Sequence, residues 1–162
     1  MAMMHPNPQT DAIDRWSTNR NGTALWLHAT AVAVDGKGLL ILGASGSGKS
    51  SLAIDLISLG ALLIADDGVW LETAADPALL ERPKTATDLI EARNVGLIRA
   101  GMTLAAAPLV LAVDLDRAET ERLPPIHSIA LGDRRIPLLH AAHQHRLAPT
   151  LHLMLRHGRA EP

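Results

Sequence analysis

The stretch Ile41–Asp67, "ILGASGSGKSSLAIDLISLGALLIADD", decides how the rest of the chain is read. It opens on an apolar run, passes through a glycine-rich octet and changes to helical spacing. It closes on a second apolar run that ends in two adjacent carboxylates. The octet "GASGSGKS", Gly43–Ser50, matches G-x-x-x-x-G-K-[ST] throughout, between an apolar strand and an amphipathic helix. Glycines at 46 and 48 let the backbone bend so that successive N–H groups converge on phosphate oxygens. The helix that follows adds the positive end of its dipole. The expected phosphate-binding residues are Gly43, Ala44, Ser45, Gly46, Ser47, Gly48, Lys49, Ser50 and Ser51. Lys49 reaches the β- and γ-phosphates as a point charge, and Ser50 offers its hydroxyl to Mg²⁺.

Working outward, Leu52, Leu56 and Leu59 lie on one face of a helix of about three turns, with Ala53 and Ile57 beside them. Gly60 stands where a left-handed C-terminal cap belongs. Ahead of the loop, "LWLHATAVAV" (25–34) reads as one strand, "DGKG" (35–38) as a hairpin turn and "LLIL" (39–42) as a buried strand. Behind it, "ALLIA" (61–65) is a buried strand, and "VWLET" (69–73) is expected to return antiparallel across the Asp66-Asp67-Gly68 turn. Residues 74–88 read as loop, and 89–101 are ambiguous in period. "PLVLAVDLD" (108–116), "IHSIAL" and "RIPLL" read as strands. From His143, leucines at 147, 151 and 155 mark a helix that tolerates Pro149 only in its first turn. The fold class is α/β, with an α+β-like mixed sheet and a C-terminal helix.

Composition bounds the rest. The chain has 162 residues, 48% of them hydrophobic, and a formal net charge of -2. That suits one domain with a core. With no Phe, no Tyr and only three Trp, the core must be aliphatic; Trp26 and Trp70 are expected within it. The absence of cysteine excludes disulfides and thiolate metal sites. The near-zero charge argues against a nucleic-acid partner, and no apolar run approaches the ~18 residues of a membrane span. "MAMMHPNPQTDAID" lacks a basic segment followed by an apolar core, so it reads as a mobile leader and not a signal peptide. A cytoplasmic protein is expected.

A phosphate cradle alone does no chemistry. Phosphoryl transfer also needs a metal ligand and a group that orients or deprotonates the acceptor. Two acidic strand ends compete for that work, Asp66-Asp67 and Asp114/Asp116, and their patterns do not separate them.

Further residues narrow the choice. Leu27-His28 precedes the loop, Ala65-Asp66-Asp67 closes the strand after the helix, and "IEARNVG" (Ile90–Gly96) follows. With the loop, these resemble the catalytic domain of the bacterial HPr kinase/phosphorylase family, from about residue 25 to residue 123. The family pattern I-E-x-R-G-x-G is matched except that Asn94 replaces its first glycine. The resemblance implies a PEP-carboxykinase-like P-loop kinase that uses ATP and Mg²⁺. It would phosphorylate a serine of the phosphocarrier HPr in carbohydrate regulation. The reverse reaction, in which inorganic phosphate takes the group and pyrophosphate leaves, belongs to the same family site. The resemblance implies Asp67 as base, with Asp66 alongside, His28 near it, Lys49 on the phosphates and Ser50 with Glu91 on Mg²⁺. It also implies Arg93 and Arg122 as catalytic arginines and a homo-oligomer, a hexamer in the family.

The chain departs from the pattern in three respects. It is expected to have a short leader, 1–22, before a single kinase domain, 23–162, where the family's long form carries an extra domain. The segment after Asp116 is shortened. The arginine- and proline-rich loop that serves the reverse reaction is replaced by "IPLLHAAHQHRLAP". Its His140, His143 and His145 lack the spacing and companions of a metal site, so a solvated loop or helix start is expected. Two other functions stay open: a kinase of the same fold with a different acceptor, and a nucleotide-binding regulator without transferase chemistry.

Overall fold

A computed structural model describes residues 7–160. Its elements are β1 (Thr10–Ala12), a 3-10 turn (Ile13–Arg15), β2 (Ser17–Asn21), β3 (Ala24–Leu27), β4 (Thr30–Val34), β5 (Lys37–Leu42), α1 (Lys49–Ser58), β6 (Leu62–Ala65) and β7 (Val69–Glu72). They continue with β8 (Leu79–Glu81), β9 (Leu89–Ala92), β10 (Gly96–Arg99), β11 (Ala106–Asp114), β12 (His127–Leu131), β13 (Arg134–His140) and α2 (Leu147–His157). The sheet is mixed, as expected: β5, β11 and β13 run parallel, while β4 pairs antiparallel with both β5 and β6.

β11 organises this sheet. Its first three residues pair with β8, and its last residues lie between β5 and β13. Asp114 therefore stands beside Leu42 on one side and His140 on the other. The carboxyl ends of three parallel strands meet at one edge, the place where open α/β sheets hold ligands. The described helices are none of them long and apolar enough to cross a membrane.

Local chemistry explains the expectations that hold. The hairpin from β4 to β5 turns on Asp35 and Gly36, both at positive φ (50° and 76°), as a two-residue Asp-Gly turn requires. α1 ends in a Schellman cap: Gly60 N–H donates to the Ile57 carbonyl and Ala61 N–H to the Leu56 carbonyl, both at 3.0 Å. Pro149 lies in the first turn of α2, where no intrahelical N–H is lost.

Other expectations need correction. Residues 25–34 do not form one strand: the chain bends at His28-Ala29, because Ala29 N–H turns back to the Leu27 carbonyl at 2.9 Å. β7 does not pair with β6 across the Asp66–Gly68 turn; it pairs with β3 and β8, while β6 pairs with β4. Residues 79–81 within the expected loop form β8. The ambiguous segment 89–101 is the hairpin β9–β10, a separate two-stranded sheet. Trp26 and Trp70 are half-buried, packed edge to face with ring centroids 5.0 Å apart. Of the expected leader, residues 1–6 lie outside the described residues. Beyond them, β1 pairs with β12, β2 pairs with β3, and Ile13 enters the core.

The core has two aliphatic layers, one on each face of the sheet. One joins Leu25, Leu27, Leu40, Leu42 and Ile64 to Leu138. The other puts Leu52 and Leu56 of α1 and Leu151 and Leu155 of α2 against Leu39, Ile41 and Leu63. Leu151 is 0% exposed and Leu153, two residues on, is 59% exposed. Leu151→Ala should therefore cost about 2–5 kcal/mol in urea denaturation, whereas Leu153→Ala should stay within about 0.5 kcal/mol. Equal losses would show that α2 is not docked by this face.

Candidate active site

A cavity of about 450 Å³ lies over the phosphate loop. Its wall contains Thr30, Ser45, Gly46, Gly48, Lys49, Ser50, Ser51, Asp66, Asp67, Glu91 and Arg93. Residues from four separate parts of the chain thus meet around the place where a phosphate would sit.

The loop comes first. Gly48 has φ 103°, a left-handed conformation that costs a glycine little, and it starts α1 without a side-chain cap. The N–H groups at the front of α1 are left for an anion. Lys49 is folded back: its Nζ donates to the carbonyls of Gly43 at 2.8 Å and Ala44 at 3.0 Å. Both contacts are to neutral groups, which a phosphate oxygen would outbid.

The strand end comes next. Asp66 Oδ1 accepts from Ser50 Oγ and from Thr30 Oγ1, each at 2.9 Å. This ties the first turn of α1 to the ends of β6 and β4. Asp67 follows with φ 58°, in the left-handed region that Asp tolerates better than most residues. Gly68, at φ 155°, is packed so tightly against the Trp26 indole that a Cβ would collide with it. Its N–H donates to the Ala29 carbonyl at 2.9 Å. The turn is therefore held from behind, and Asp67 stands exposed in the cavity wall.

Glu91 and Arg93 come from the β9–β10 hairpin. Ile90 is buried against the α1 layer, so strand alternation turns Glu91 outward. The hairpin turn carries Asn94 at φ 64°. A glycine would be at ease there, and Asn is among the few residues that share that conformation. The single departure in "IEARNVG" thus keeps the backbone demand.

The competing acids have a different location. Both carboxylate oxygens of Asp116 accept the Ala44 N–H, at 2.9 and 3.1 Å. Asp114 is fully buried and accepts the Asp116 N–H at 2.9 Å. Arg117 lies 3.7 Å from Asp114 and forms two hydrogen bonds to Asp11. This pair braces the start of the loop and is absent from the cavity wall. His28 and Arg122 are exposed, and neither is in that wall. Sequence reasoning missed Thr30, whose pairing with Asp66 spans 36 positions and leaves no local signal.

The histidines divide. His143 and His145 are exposed in the turn before α2. His140 instead stacks on His127, rings 4.1 Å apart and 9° from parallel, with Glu119 Oε2 at 2.8 Å from His127 Nε2. Glu119, His127 and His140 lie close enough to suggest a metal site. The hydrogen bonding opposes it. Gln9 N–H donates to His127 Nδ1, so the neutral ring carries its proton on Nε2, the atom that faces Glu119. Stacked rings also direct their in-plane lone pairs side by side and not to a shared point.

The family model for the HPr serine kinase C-terminal domain matches residues 22–108, more than half of the chain. The chain belongs to that family. A Caldicellulosiruptor bescii protein named HPr kinase/phosphorylase is 42% identical over 72 residues, covering 44% of this chain and 23% of the relative. A relative of the same name from Exiguobacterium sp. is 36% identical over 113 residues, covering 67% of this chain and 36% of that protein. The matches thus span only about a quarter to a third of these relatives' length. Among solved structures, the HPr(Ser) kinase/phosphatase of Coxiella burnetii superposes with a TM-score of 0.67 at 21% identity, over 81% of this chain and 88% of that one. That likeness supports the P-loop kinase fold. The match of the HPr serine kinase family model ends within β11, so Asp114, Asp116 and Arg122 lie beyond it.

Burial lowers the pKa of His140, and the neighbouring His127 charge adds to this, against the opposing charges of Glu119, Asp114 and Asp11. Burial alone would raise Glu119, but the His127 hydrogen bond and the N–H groups of Glu121 and Thr120 outweigh it and hold its carboxyl low. Both shifts favour the less protonated form in the folded state. The stability held by His140 is complete above its ordinary pKa of 6.5 and is lost as pH falls through its lower folded value. Glu119 adds a further loss below 4.5. His140→Phe, which keeps a flat ring but cannot titrate, should make the urea midpoint less sensitive to acidification below pH 6.5. Parallel curves for wild type and variant would refute this.

Proposed function

We propose that this chain is a protein serine kinase that moves the γ-phosphoryl group of ATP to a seryl hydroxyl of an HPr-like phosphocarrier protein. The observation that carries the reading is the single cavity wall shared by Lys49, Ser50, Asp66, Asp67, Glu91 and Arg93. Family membership supplies the acceptor, since its model and curated relatives are named for HPr.

The donor set fits Mg²⁺: the Ser50 hydroxyl and the Glu91 carboxylate are hard oxygens, and Asp66 lies 2.9 Å from that hydroxyl. When bound there, Mg²⁺ would neutralise charge on the β- and γ-phosphates. Lys49 leaves the loop carbonyls for the phosphate oxygens, and the loop N–H groups hold the chain in line. Asp67 takes the seryl proton as the serine oxygen bonds to the γ-phosphorus. The bond from that phosphorus to the β–γ bridging oxygen breaks, and ADP leaves. Arg93 balances charge on the transferred group. The reading assigns no step to His28 or Arg122. It includes a homo-oligomer, as the family resemblance implies, in the cytoplasm, as the composition suggests.

Incubation with ATP, Mg²⁺ and the cognate HPr should yield phosphoserine by mass spectrometry. Asp67→Asn should lower the rate by about 10²–10⁴-fold, the usual worth of a positioned base, with ATP still bound. A wild type that binds ATP and labels another protein from a cell extract, but never HPr, would move the acceptor. One that binds ATP and labels nothing would leave a regulator.

A further inference from the structure

A buried hydroxyl stands behind the carboxylate that touches Ser50. Thr30, the first residue of β4, is 0% exposed, and its Oγ1 donates to Asp66 Oδ1 at 2.9 Å. We propose that Thr30 is a positioning residue for Mg²⁺: it fixes the Asp66 carboxylate, which in turn aims the Ser50 oxygen at the metal. This deepens the proposed function and rests on its assignment of Ser50 to Mg²⁺.

One proton sets the direction. A hydroxyl has a single proton, and an ionised carboxylate can only accept. Ser50 therefore gives its proton to Asp66 Oδ1, at 2.9 Å. The lone pairs of Ser50 Oγ are left for a cation, which is the state that a hydroxyl ligand needs. Released from Asp66, the same hydroxyl could turn its proton toward the metal. Whatever holds Asp66 Oδ1 in place thus also holds the Ser50 lone pairs.

Ser50 alone is a weak hold. It is half-buried in the first turn of α1, and a serine hydroxyl rotates to suit its partner. Thr30 supplies what Ser50 lacks. It is β-branched and stiff at χ1, and its burial keeps its hydroxyl from water. Its strand is fixed on both sides, with Thr30 opposite Ile41 of β5 and Ala31 opposite Ala65 of β6. One step beyond that last pair, Thr30 comes opposite Asp66. Two donors, from β4 and α1, therefore converge on one carboxylate oxygen. The second oxygen of Asp66 accepts no hydrogen bond among the described residues, and Asp66 belongs to the cavity wall. Burial by itself asks of a threonine only that it find some acceptor, and a backbone carbonyl would serve. Thr30 uses the same oxygen that Ser50 uses.

Calorimetry with the β,γ-methylene analogue of ATP, run once in EDTA and once in saturating Mg²⁺, tests this. The ratio of the two affinities reads the metal's contribution. In wild type, Mg²⁺ should tighten binding. Thr30→Val keeps the shape and removes the hydroxyl. It should lower that ratio by about tenfold or more, the usual effect of losing a group that orients a metal ligand, with the affinity in EDTA unchanged. Thr30→Ser, which returns the hydroxyl, should restore the ratio. In an Asp66→Ala background, Thr30→Val should have no further effect, because the path through Asp66 is already cut. A wild-type ratio in Thr30→Val overturns the assignment. So does an equal loss in EDTA and in Mg²⁺, a loss additive with that of Asp66→Ala, or a failure of Thr30→Ser to restore the ratio. If Thr30→Val does not fold, Thr30→Ala is read in the same way, and failure of both to fold makes the hydroxyl a structural group and overturns the assignment. A wild type that binds the analogue without any gain from Mg²⁺ overturns the placing of the metal on Ser50 as well. One that binds it in neither condition overturns the proposed function itself.

Discussion

The phosphate loop is held at both ends by carboxylates that follow other strands, Asp116 after β11 and Asp66 after β6, and the site depends on that. A loop that offers its N–H groups to an anion cannot use them to hold itself together. Its rigidity has to come from elsewhere. At its start, β5 and β11 pair as far as Leu42 and Asp114, the Leu115 N–H donates to the Leu42 carbonyl, and Asp116 takes the Ala44 N–H. At its end, Ser50 donates to Asp66. The two acidic strand ends that look alike in sequence therefore do different work. One clamps the loop from outside the cavity, and the other enters the cavity with it.

The spacing between these anchors is a property of the central sheet. β4 lies between β5 and β6, with Thr30 opposite Ile41 and Ala31 opposite Ala65. A slip of one residue in either ladder would turn core side chains to the wrong face. It would also move Asp66 away from Ser50. Aliphatic packing on both faces resists that slip. The indoles stay at the margin, where Trp26 packs behind Gly68 and fixes the turn that presents Asp67. A core without Phe or Tyr still has a use for its few aromatic rings, at the point where a tight turn needs a rigid wall.

What was legible in the sequence is what local chemistry decides. The octet at 43–50, the Asp35-Gly36 turn and the Gly60 cap each depend on residues within a few positions of one another. The strand at 25–34 and the partner of β7 were misread because bends and pairings answer to distant partners. The break at His28-Ala29 lets β3 and β4 join different neighbours, β3 with β7 and β4 with β6. Nothing in "LWLHATAVAV" announces a partner some forty residues on. The site followed the same division. The loop and two candidate acidic strand ends could be read, while the choice between those ends rested on the family resemblance, and Thr30 and the bracing role of Asp116 needed the fold.

The site has a rigid half and a lightly held half. Lys49, Ser50, Asp66 and Asp67 stand on elements locked into the main sheet and α1. Glu91 and Arg93 stand on a two-stranded hairpin outside that sheet, and a lone hairpin is marginal in water. Ile90 in the core, half-buried Ile98 and the Ala100 N–H to the Asp88 carbonyl at 2.7 Å hold it down. Val95 and Leu97 in the same hairpin are 78% and 68% exposed. Few buried contacts mean a low cost of local opening. Of the groups proposed for metal and transition-state charge, Glu91 and Arg93 thus sit on the part of the site that opens most cheaply, while Ser50 sits on the rigid part. The phosphate loop and Asp67 sit on the rigid part too. Under the proposed function, such a division would let the nucleotide bind to a formed cradle while the remaining charges close in with the acceptor, which would disfavour transfer to water until the acceptor is present.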